Sequence, residues 1–224
     1  MPTPSSVYVT GTDTGVGKTV ASCALLHALR ARGSRAAGMK PVASGCTPTD
    51  DGWRNEDALA LIEASAVRAD YQLHNPFALP APTAPQLAAR DAGIAVTLAP
   101  IQAAHAALQA RADTVIVEGV GGWAAPLADG LEQADLVRAL GVPVVMVVGL
   151  RLGCLSHARL TARAIAADGC VLAGWIGSTV DRDFERLQDY LQLLREALPA
   201  PCIGVLPHGD DASALSEHLA LRYL

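Results

Sequence analysis

The sequence predicts one α/β domain over residues 1–224: a single doubly wound, mostly parallel sheet with helices on both faces. Three observations predict it. Short β-branched apolar runs alternate with segments of helical period, the pattern of βαβ units. The runs Thr114–Val117 and Pro143–Val148 are apolar throughout, as strands buried on both faces of a parallel sheet are. The first run, Val7–Thr10, passes through a glycine-bearing turn straight into Gly17-Lys18-Thr19 and a helix. Composition agrees, since 51% apolar and 17% charged residues indicate a buried core, not disorder.

Taken in order, Thr19–Arg32 is a helix with Val20, Cys23, Leu26 and Leu29 near one face and Gly33 as its stop. Arg35–Met39 is a short strand ending in the loop Lys40-Pro41-Val42-Ala43-Ser44-Gly45. Pro48–Arg54 is polar turn material, and Asn55–Ser65 is a helix with Asp57 in its first turn. Tyr71–Pro85 carries four prolines and no period, so it reads as a long ordered loop, either a functional lid or a connector. A helix capped by Thr97 runs to Ala112, and Thr114–Glu118 is a strand followed by the loop Gly119–Trp123. Then come a helix at Gln133–Leu140 stopped by Gly141, a strand at Pro143–Val148 and a helix at Leu155–Ala167. Val171–Ile176 is a strand, Asp183–Leu198 a helix, Cys202–Leu206 a strand and Ala212–Leu221 a closing helix. In such a sheet ligands gather beyond the carboxyl ends of the strands.

The stretch Val7–Val20 carries the strongest chemical signal. Strand, glycine-rich turn, Lys-Thr and helix together make a P-loop, in which backbone N–H groups cradle a phosphate chain, the lysine reaches the outer phosphates and the threonine hydroxyl serves Mg²⁺. The spacing is a variant, with five residues between Gly11 and Gly17 and Thr12 standing where the common form has its first glycine. Of seventeen Lys plus Arg only two are lysines, Lys18 and Lys40, both in glycine-bearing loops after strands. Lysine is a compact point charge that a planar guanidinium does not copy in a tight cradle. Glu118 ends a buried strand and needs a partner there. Thr19, Asp57 and Glu118 would make a Mg²⁺ set, although Asp57 taken alone reads first as an acid favoured by the helix dipole. The turn Gly149–Ser156 is a candidate anion site or simply a βα turn with a serine cap. Cys154, Trp175 and Tyr190 read by default as packing residues.

Several classes are set aside. A net charge of −5 with no basic cluster argues against nucleic acid or an anionic membrane as partner. The longest apolar run, Val142–Leu150, is too short to span a bilayer. The N-terminal residues lack the pattern of a signal peptide, and five scattered cysteines without a CxxC read as reduced thiols, so a cytoplasmic location is expected. The histidines show no zinc spacing.

The segments GTDTGVGKT, KPVASG, RNEDALAL, VEGVGGW, LGCLSHARLT and AGWIGS, in this order between about Val7 and Pro207, together resemble dethiobiotin synthetase, the ATP-dependent ligase of biotin synthesis. The resemblance implies 7,8-diaminopelargonic acid, CO2 and MgATP as substrates, a carbamate, a carbamic-phosphoric mixed anhydride and closure to a cyclic urea. It implies that Thr14, Gly15, Val16, Gly17, Lys18, Thr19 and Val20 bind the triphosphate, with Asp57, Glu118, Gly119, Val120 and Gly121 beside it. Ser178, Thr179, Pro207, His208 and Gly209 would contact the nucleotide. Thr19, Asp57 and Glu118 would hold Mg²⁺, Lys40 would be the catalytic lysine with Lys18, and Ser44 would contact the diamine. In a homodimer, Leu152, Gly153, Cys154, Ser156 and Tyr190 of the other subunit would receive the substrate carboxylate. Gly15 stands where the family has an acid, Ser156 and Ser178 stand where it has asparagines, and near Ala214 a glutamate of its nucleotide pocket is missing.

The rival readings lack their signatures. A partitioning ATPase would carry a further lysine early in the P-loop, and a guanine-specific GTPase an N-K-x-D; neither is present. The stretch after Pro207 is expected to be too short for a glutaminase domain. A non-catalytic binding module leaves the Lys40 loop unexplained.

Overall fold

The structure, a computed structural model, describes residues 6–223. Six strands form its central sheet: β1 (Ser6–Gly11), β2 (Ala36–Met39), β3 (Thr114–Gly122), β4 (Val144–Gly149), β5 (Leu172–Ser178) and β6 (Cys202–Leu206). Their order is β6-β5-β4-β1-β3-β2, and every neighbouring pair is parallel. The chain fills one side of β1 with β3 and β2, then crosses to β4 on the other. Connections therefore leave β1 in opposite directions, and a crevice opens at its carboxyl end.

Strand alternation divides the core. Val7 and Val9 point to the face covered by α1 (Lys18–Ala31) and α2 (Glu56–Ala64), where they meet Leu25, Leu26 and Leu61. Tyr8 points to the other face, with Val115, Val117 and Leu136, under α4 (Leu98–Gln109) and α5 (Gln133–Leu140). A third cluster lies where α6 (Cys154–Ala167) and α7 (Leu187–Ala197) cover β4 and β5. Leu25 and Leu26 are fully buried, so truncating either to alanine costs about 2–5 kcal/mol.

The structure departs from the sequence reading in instructive places. The stretch 71–85 is not structureless: it holds a helical turn, Tyr71–His74, and a strand, Phe77–Leu79, paired in parallel with Val42–Ser44. Helix α3 (Pro85–Ala92) follows, with Pro85 in its first turn. Elements of three or four residues are shorter than any period that could reveal them. Pro48–Arg54 lies in an exposed hairpin, Thr47–Thr49 with Gly52–Arg54. The expected loop Gly119–Trp123 is largely strand, because pairing with β1 continues to Gly122 opposite Gly11. A further hairpin, Pro126–Ala128 with Leu131–Glu132, was not foreseen. Thr97 stands at the N-cap of α4 but makes no side-chain cap bond. Gly153, not Ser156, caps α6. Helix α7 starts at Leu187, and the closing helix ends at Leu215 before two 3₁₀ turns.

Candidate active site

A cavity of about 460 Å³ lies at the carboxyl end of β1, lined by Thr14, Gly15, Gly17–Val20, Lys40, Ala43, Ser44, Asn55, Asp57, Val120 and Gly121. Its phosphate-facing wall is the turn between β1 and α1. Gly11 ends β1 because nothing larger fits: a Cβ there would lie 2.7 Å from Val16 Cγ2 and 2.9 Å from the Asp13 carbonyl oxygen. That close approach explains the early glycine. Gly17 caps α1 from left-handed backbone, φ 81°, with no side chain over the helix end. The first N–H groups of α1 therefore stay open to an anion. Asp13 braces the turn: its Oδ1 accepts the Thr14 N–H at 2.7 Å, and its carbonyl accepts from Lys18 Nζ at 3.0 Å. Its Oδ2 takes Arg151 Nη2 at 2.7 Å, tying the turn to the segment after β4.

The opposite wall carries charge. Lys40, first residue after β2, is 3% exposed and donates from Nζ to Glu118 Oε1 at 2.6 Å, Asp57 Oδ2 at 2.8 Å and the Gly119 carbonyl at 3.2 Å. Thr19 Oγ1 lies 2.8 Å from Asp57 Oδ1 and 3.0 Å from Glu118 Oε1. Asp57 sits in the first turn of α2 because Asn55 caps that helix, accepting the Ala58 N–H at 3.2 Å. Glu118 is fully buried, and its Oε2 has no hydrogen-bond partner among the described residues. Such an atom carries a desolvation cost of about 1–3 kcal/mol unless something binds it. One hydroxyl and two carboxylates, all oxygen, form the donor set that suits a hard cation such as Mg²⁺. Gln133, fully buried, fastens Gly119–Trp123: its Oε1 accepts from the Tyr8 hydroxyl at 2.7 Å and from the Val120 N–H at 3.3 Å, and its Nε2 donates to the Gly122 and Trp123 carbonyls.

These contacts set the charges. Burial works against the Lys40 ammonium, but the carboxylates of Glu118 and Asp57 outweigh it and raise its pKa. Burial likewise opposes the Asp57 carboxylate, and Lys40 reverses the balance and holds its pKa below the usual range. Lys18 lacks such close partners: burial, then repulsion from Lys40, lowers it to about 8. Tyr8 is held neutral by burial and by Glu118.

The remaining sequence-predicted residues stand elsewhere. Val16 is buried against Gly11 and Gly149, so only its backbone faces a ligand. Ser178 is mostly buried behind Gly17, whose Cβ, if present, would lie 2.6 Å from Ser178 Oγ. The loops after β5 and β6 meet through His208 Nδ1 and the Thr179 carbonyl at 3.0 Å, flanked by exposed Pro207 and Gly209. Past Thr19 and Val20 a second cavity, about 390 Å³, reaches Asp210–Ser213. Within one chain neither the turn Leu152–Ser156 nor Tyr190 lines the first cavity. Leu152 is 81% exposed, Cys154 is buried with its thiol pKa raised by that burial, and Tyr190 packs on Phe184 at 4.7 Å between ring centroids. Sequence reasoning missed Gln133, although a glutamine opening a helix beside a glycine run was visible. It also missed Asn55 as a cap, although an asparagine before an acidic first turn is such a signal.

A family model described as an AAA domain matches residues 5–216. Curated relatives are close over nearly their whole length. One from Xanthomonas oryzae pv. oryzae, named ATP-dependent dethiobiotin synthetase, is 59% identical over 219 residues, covering 98% of each chain. One of the same name from Xylella fastidiosa is 61% identical over 218 residues, covering 96% of each. Among solved structures, the MinC:MinD cell division complex of Aquifex aeolicus matches with a TM-score of 0.58 at 14% identity, over 95% of this chain and 85% of that one. The signal recognition particle receptor FtsY of Elizabethkingia anophelis, solved with GDP, matches with a TM-score of 0.54 at 14% identity, over 100% of this chain and 64% of that one. These two likenesses concern the fold.

Proposed function

The chain belongs to the family of ATP-dependent dethiobiotin synthetases, ligases of biotin biosynthesis, and from that membership we propose how its carboxyl-end crevice works. The substrates are 7,8-diaminopelargonic acid, CO2 and ATP. One amine of the diamine adds to CO2 and loses a proton, giving a carbamate. A carbamate oxygen attacks the γ-phosphorus as the bond to the β,γ-bridging oxygen breaks, so ADP leaves and a mixed anhydride remains. The second amine then attacks the anhydride carbon, phosphate departs, and the cyclic urea closes.

The observation that carries this reading is Lys40, a buried ammonium at the junction of the phosphate wall and the carboxylates. Such a transfer needs positioning and charge stabilisation more than covalent help. The N–H groups of residues 14–20 and Lys18 would hold the triphosphate. Lys40 would neutralise charge on the carbamate and on the transferring phosphoryl oxygens, and Ser44, on the rim of the cavity, would contact the diamine. Thr19, Asp57 and Glu118 would hold Mg²⁺, whose charge offsets that of the β- and γ-phosphates when it is bound. Ser178, Thr179 and the Pro207–Gly209 loop would border the base. A second copy of the chain would bring Leu152–Ser156 and Tyr190 to the substrate carboxylate. Leu152, Leu160 and Leu193, exposed on the turn after β4 and on helices α6 and α7, support this, because exposed apolar side chains are what an interface covers. The test is ADP release by the purified chain with MgATP and bicarbonate. It should require the diamine, and an equal rate without the diamine would overturn the reading.

A further inference from the structure

We propose that Tyr71 and Asn75 are positioning residues for Lys40 and Asp57, joined to them in a closed ring of hydrogen bonds. This rests on the role given to Lys40 above. Asn75, 2% exposed, donates from Nδ2 to the Lys40 carbonyl at 2.6 Å. Its Oδ1 accepts from the Tyr71 hydroxyl at 2.8 Å. The same Tyr71 oxygen accepts the Asn55 N–H at 2.9 Å. Asn55 caps α2, and Asp57 follows two residues on, with its Oδ2 2.8 Å from Lys40 Nζ. The ring thus runs from the backbone of Lys40 through two side chains and a helix cap back to its ammonium. A branch of it reaches the substrate side, where Asn55 Nδ2 donates to the Ser44 carbonyl at 3.4 Å.

The ring answers a problem set by the topology. β2 is an edge strand, so beyond Met39 the buried Lys40 peptide has no sheet neighbour on its outer side. Unpaired backbone groups in that position are costly. The 71–77 segment supplies both partners: Asn75 takes the carbonyl, and the His74 carbonyl accepts the Lys40 N–H at 2.7 Å. The next residue is tied as well, since the Phe77 N–H donates to the Pro41 carbonyl at 3.1 Å. Tyr71 is itself pinned, with the Arg54 guanidinium 4.1 Å from its ring centroid. Lysine has a long flexible stem, so where its ammonium stands depends on where its backbone is held. The proline-rich stretch is thus neither a lid nor a plain connector; it is the brace of the catalytic lysine.

The test uses the full chain, with Tyr71→Phe and Asn75→Asp. The first removes one oxygen and keeps the ring over Arg54. The second keeps the size and the acceptor toward Tyr71 but replaces the donor toward Lys40 by an oxygen. Each should lower kcat by roughly 10–100-fold, as loss of a supporting shell does. KM for MgATP should stay within about twofold, because the N–H cradle and Lys18 lie outside the ring. In a Lys40→Ala background Tyr71→Phe should have no further effect, because what it positions is gone. A merely structural role would lower activity by the same factor in both backgrounds. If Asn75→Asp loses its cooperative thermal melt, Tyr71→Phe carries the test alone. Parent-like kcat in Tyr71→Phe, or an equal loss in both backgrounds, overturns the proposal. Parent-like kcat in Lys40→Ala overturns the role of Lys40 with it, so the two failures are told apart.

Discussion

The P-loop side of the crevice and the turn after β4 are both loops at the carboxyl ends of neighbouring strands, yet they are built in opposite ways. On the first side the charged groups meet one another, and Glu118 Oε2 is left without a partner among the described residues. Lys40 meets Glu118 and Asp57, Thr19 meets the same two, and Lys18 meets the Asp13 carbonyl. The second side has a helix start capped in the same way, α6 with left-handed Gly153, but its ion pair, Arg151 to Asp13, reaches back to the first side, and an exposed leucine stands at its tip. Two βα turns with left-handed glycine caps thus diverge: the first N–H groups of α1 stay open, whereas at α6 the Cys154 N–H goes to the Arg151 carbonyl at 3.0 Å and the Ser156 N–H to the Gly153 carbonyl at 3.1 Å. Preorganised charge costs least to reorganise at the moment of reaction, which is why the proposed chemistry is assigned to the first. The second presents exposed Leu152, which a second copy of the chain would cover in the homodimer proposed above.

The largest expected effect lies on the finished side. Lys40→Arg keeps the charge but not the compact shape, and a guanidinium does not fit among Glu118, Asp57 and the Gly119 carbonyl. Turnover should fall on the order of 10²–10³-fold, the usual cost of losing a preorganised donor, with a much smaller change in ATP affinity. Steady-state kinetics at saturating substrates check this, and unchanged turnover would remove Lys40 from the chemistry.

On the unfinished side the expectation concerns two chains. If Tyr190 and the Leu152–Ser156 turn serve a neighbour's site, Lys40→Ala and Tyr190→Ala chains should complement. Random re-annealing of equal amounts makes half the dimers mixed, each with one intact site of two, so about a quarter of parent activity should return. Proven mixed dimers without recovery would mean that each site is complete in one chain.

How much of this was legible follows the same division. The core strands were readable because buried parallel strands are apolar runs, and Cys202–Leu206 and Gln133–Leu140 coincide with the observed elements. Lys18, Lys40, Thr19 and Glu118 were readable because each ends or follows such a run. The brace from Tyr71 to Asn75 was not, since it works through single backbone groups far apart in sequence, and no spacing rule encodes them. The glycines of Gly119–Gly122 misled because glycine reads as loop, whereas the strand passes through a bulge, with Gly121 left-handed at φ 61°, and pairs with β1 again at Gly122. Thr97 misled in the other direction: the residue type suits a cap, but its side chain makes none.

Lys18 offers a pH test of the finished side. Its ammonium is lowered to about 8, chiefly by burial and then by Lys40, whereas bound phosphates favour the charged form and raise its pKa. Below pH about 8 the free chain already holds the proton, so nucleotide binding there should be nearly independent of this group. Above it, binding must take up a proton, and the dissociation constant should climb by up to about tenfold per pH unit until the pKa of the complex is reached. Calorimetry in buffers of different ionisation heat should find little uptake near pH 7 and close to one proton near pH 9. Equal uptake at both would show that Lys18 does not carry this linkage.

The smallest effect concerns the base. Ser178 is the last residue of β5, and its backbone is engaged on both sides: its carbonyl accepts the Leu150 N–H at 2.7 Å, and the next N–H, of Thr179, goes to the Leu206 carbonyl at 3.0 Å. The Thr179 carbonyl is taken by His208. With those backbone groups occupied, reading a base at this position falls to the side chain, and a single short hydroxyl set against Gly17 cannot span an adenine edge. An asparagine offers a donor and an acceptor together, and a good bidentate pair discriminates by about 1–3 kcal/mol. Ser178→Asn must reach past Gly17, so the low end applies: selectivity for ATP over CTP and GTP should rise about fivefold. The phosphate contacts are blind to the base, so overall nucleotide affinity should move less than selectivity. Comparing kcat/KM for the three nucleotides in both proteins checks this. Selectivity already above about a hundredfold in the native chain, unchanged by Ser178→Asn, would assign base reading to the His208 loop or to Asp210–Ser213 along the second cavity.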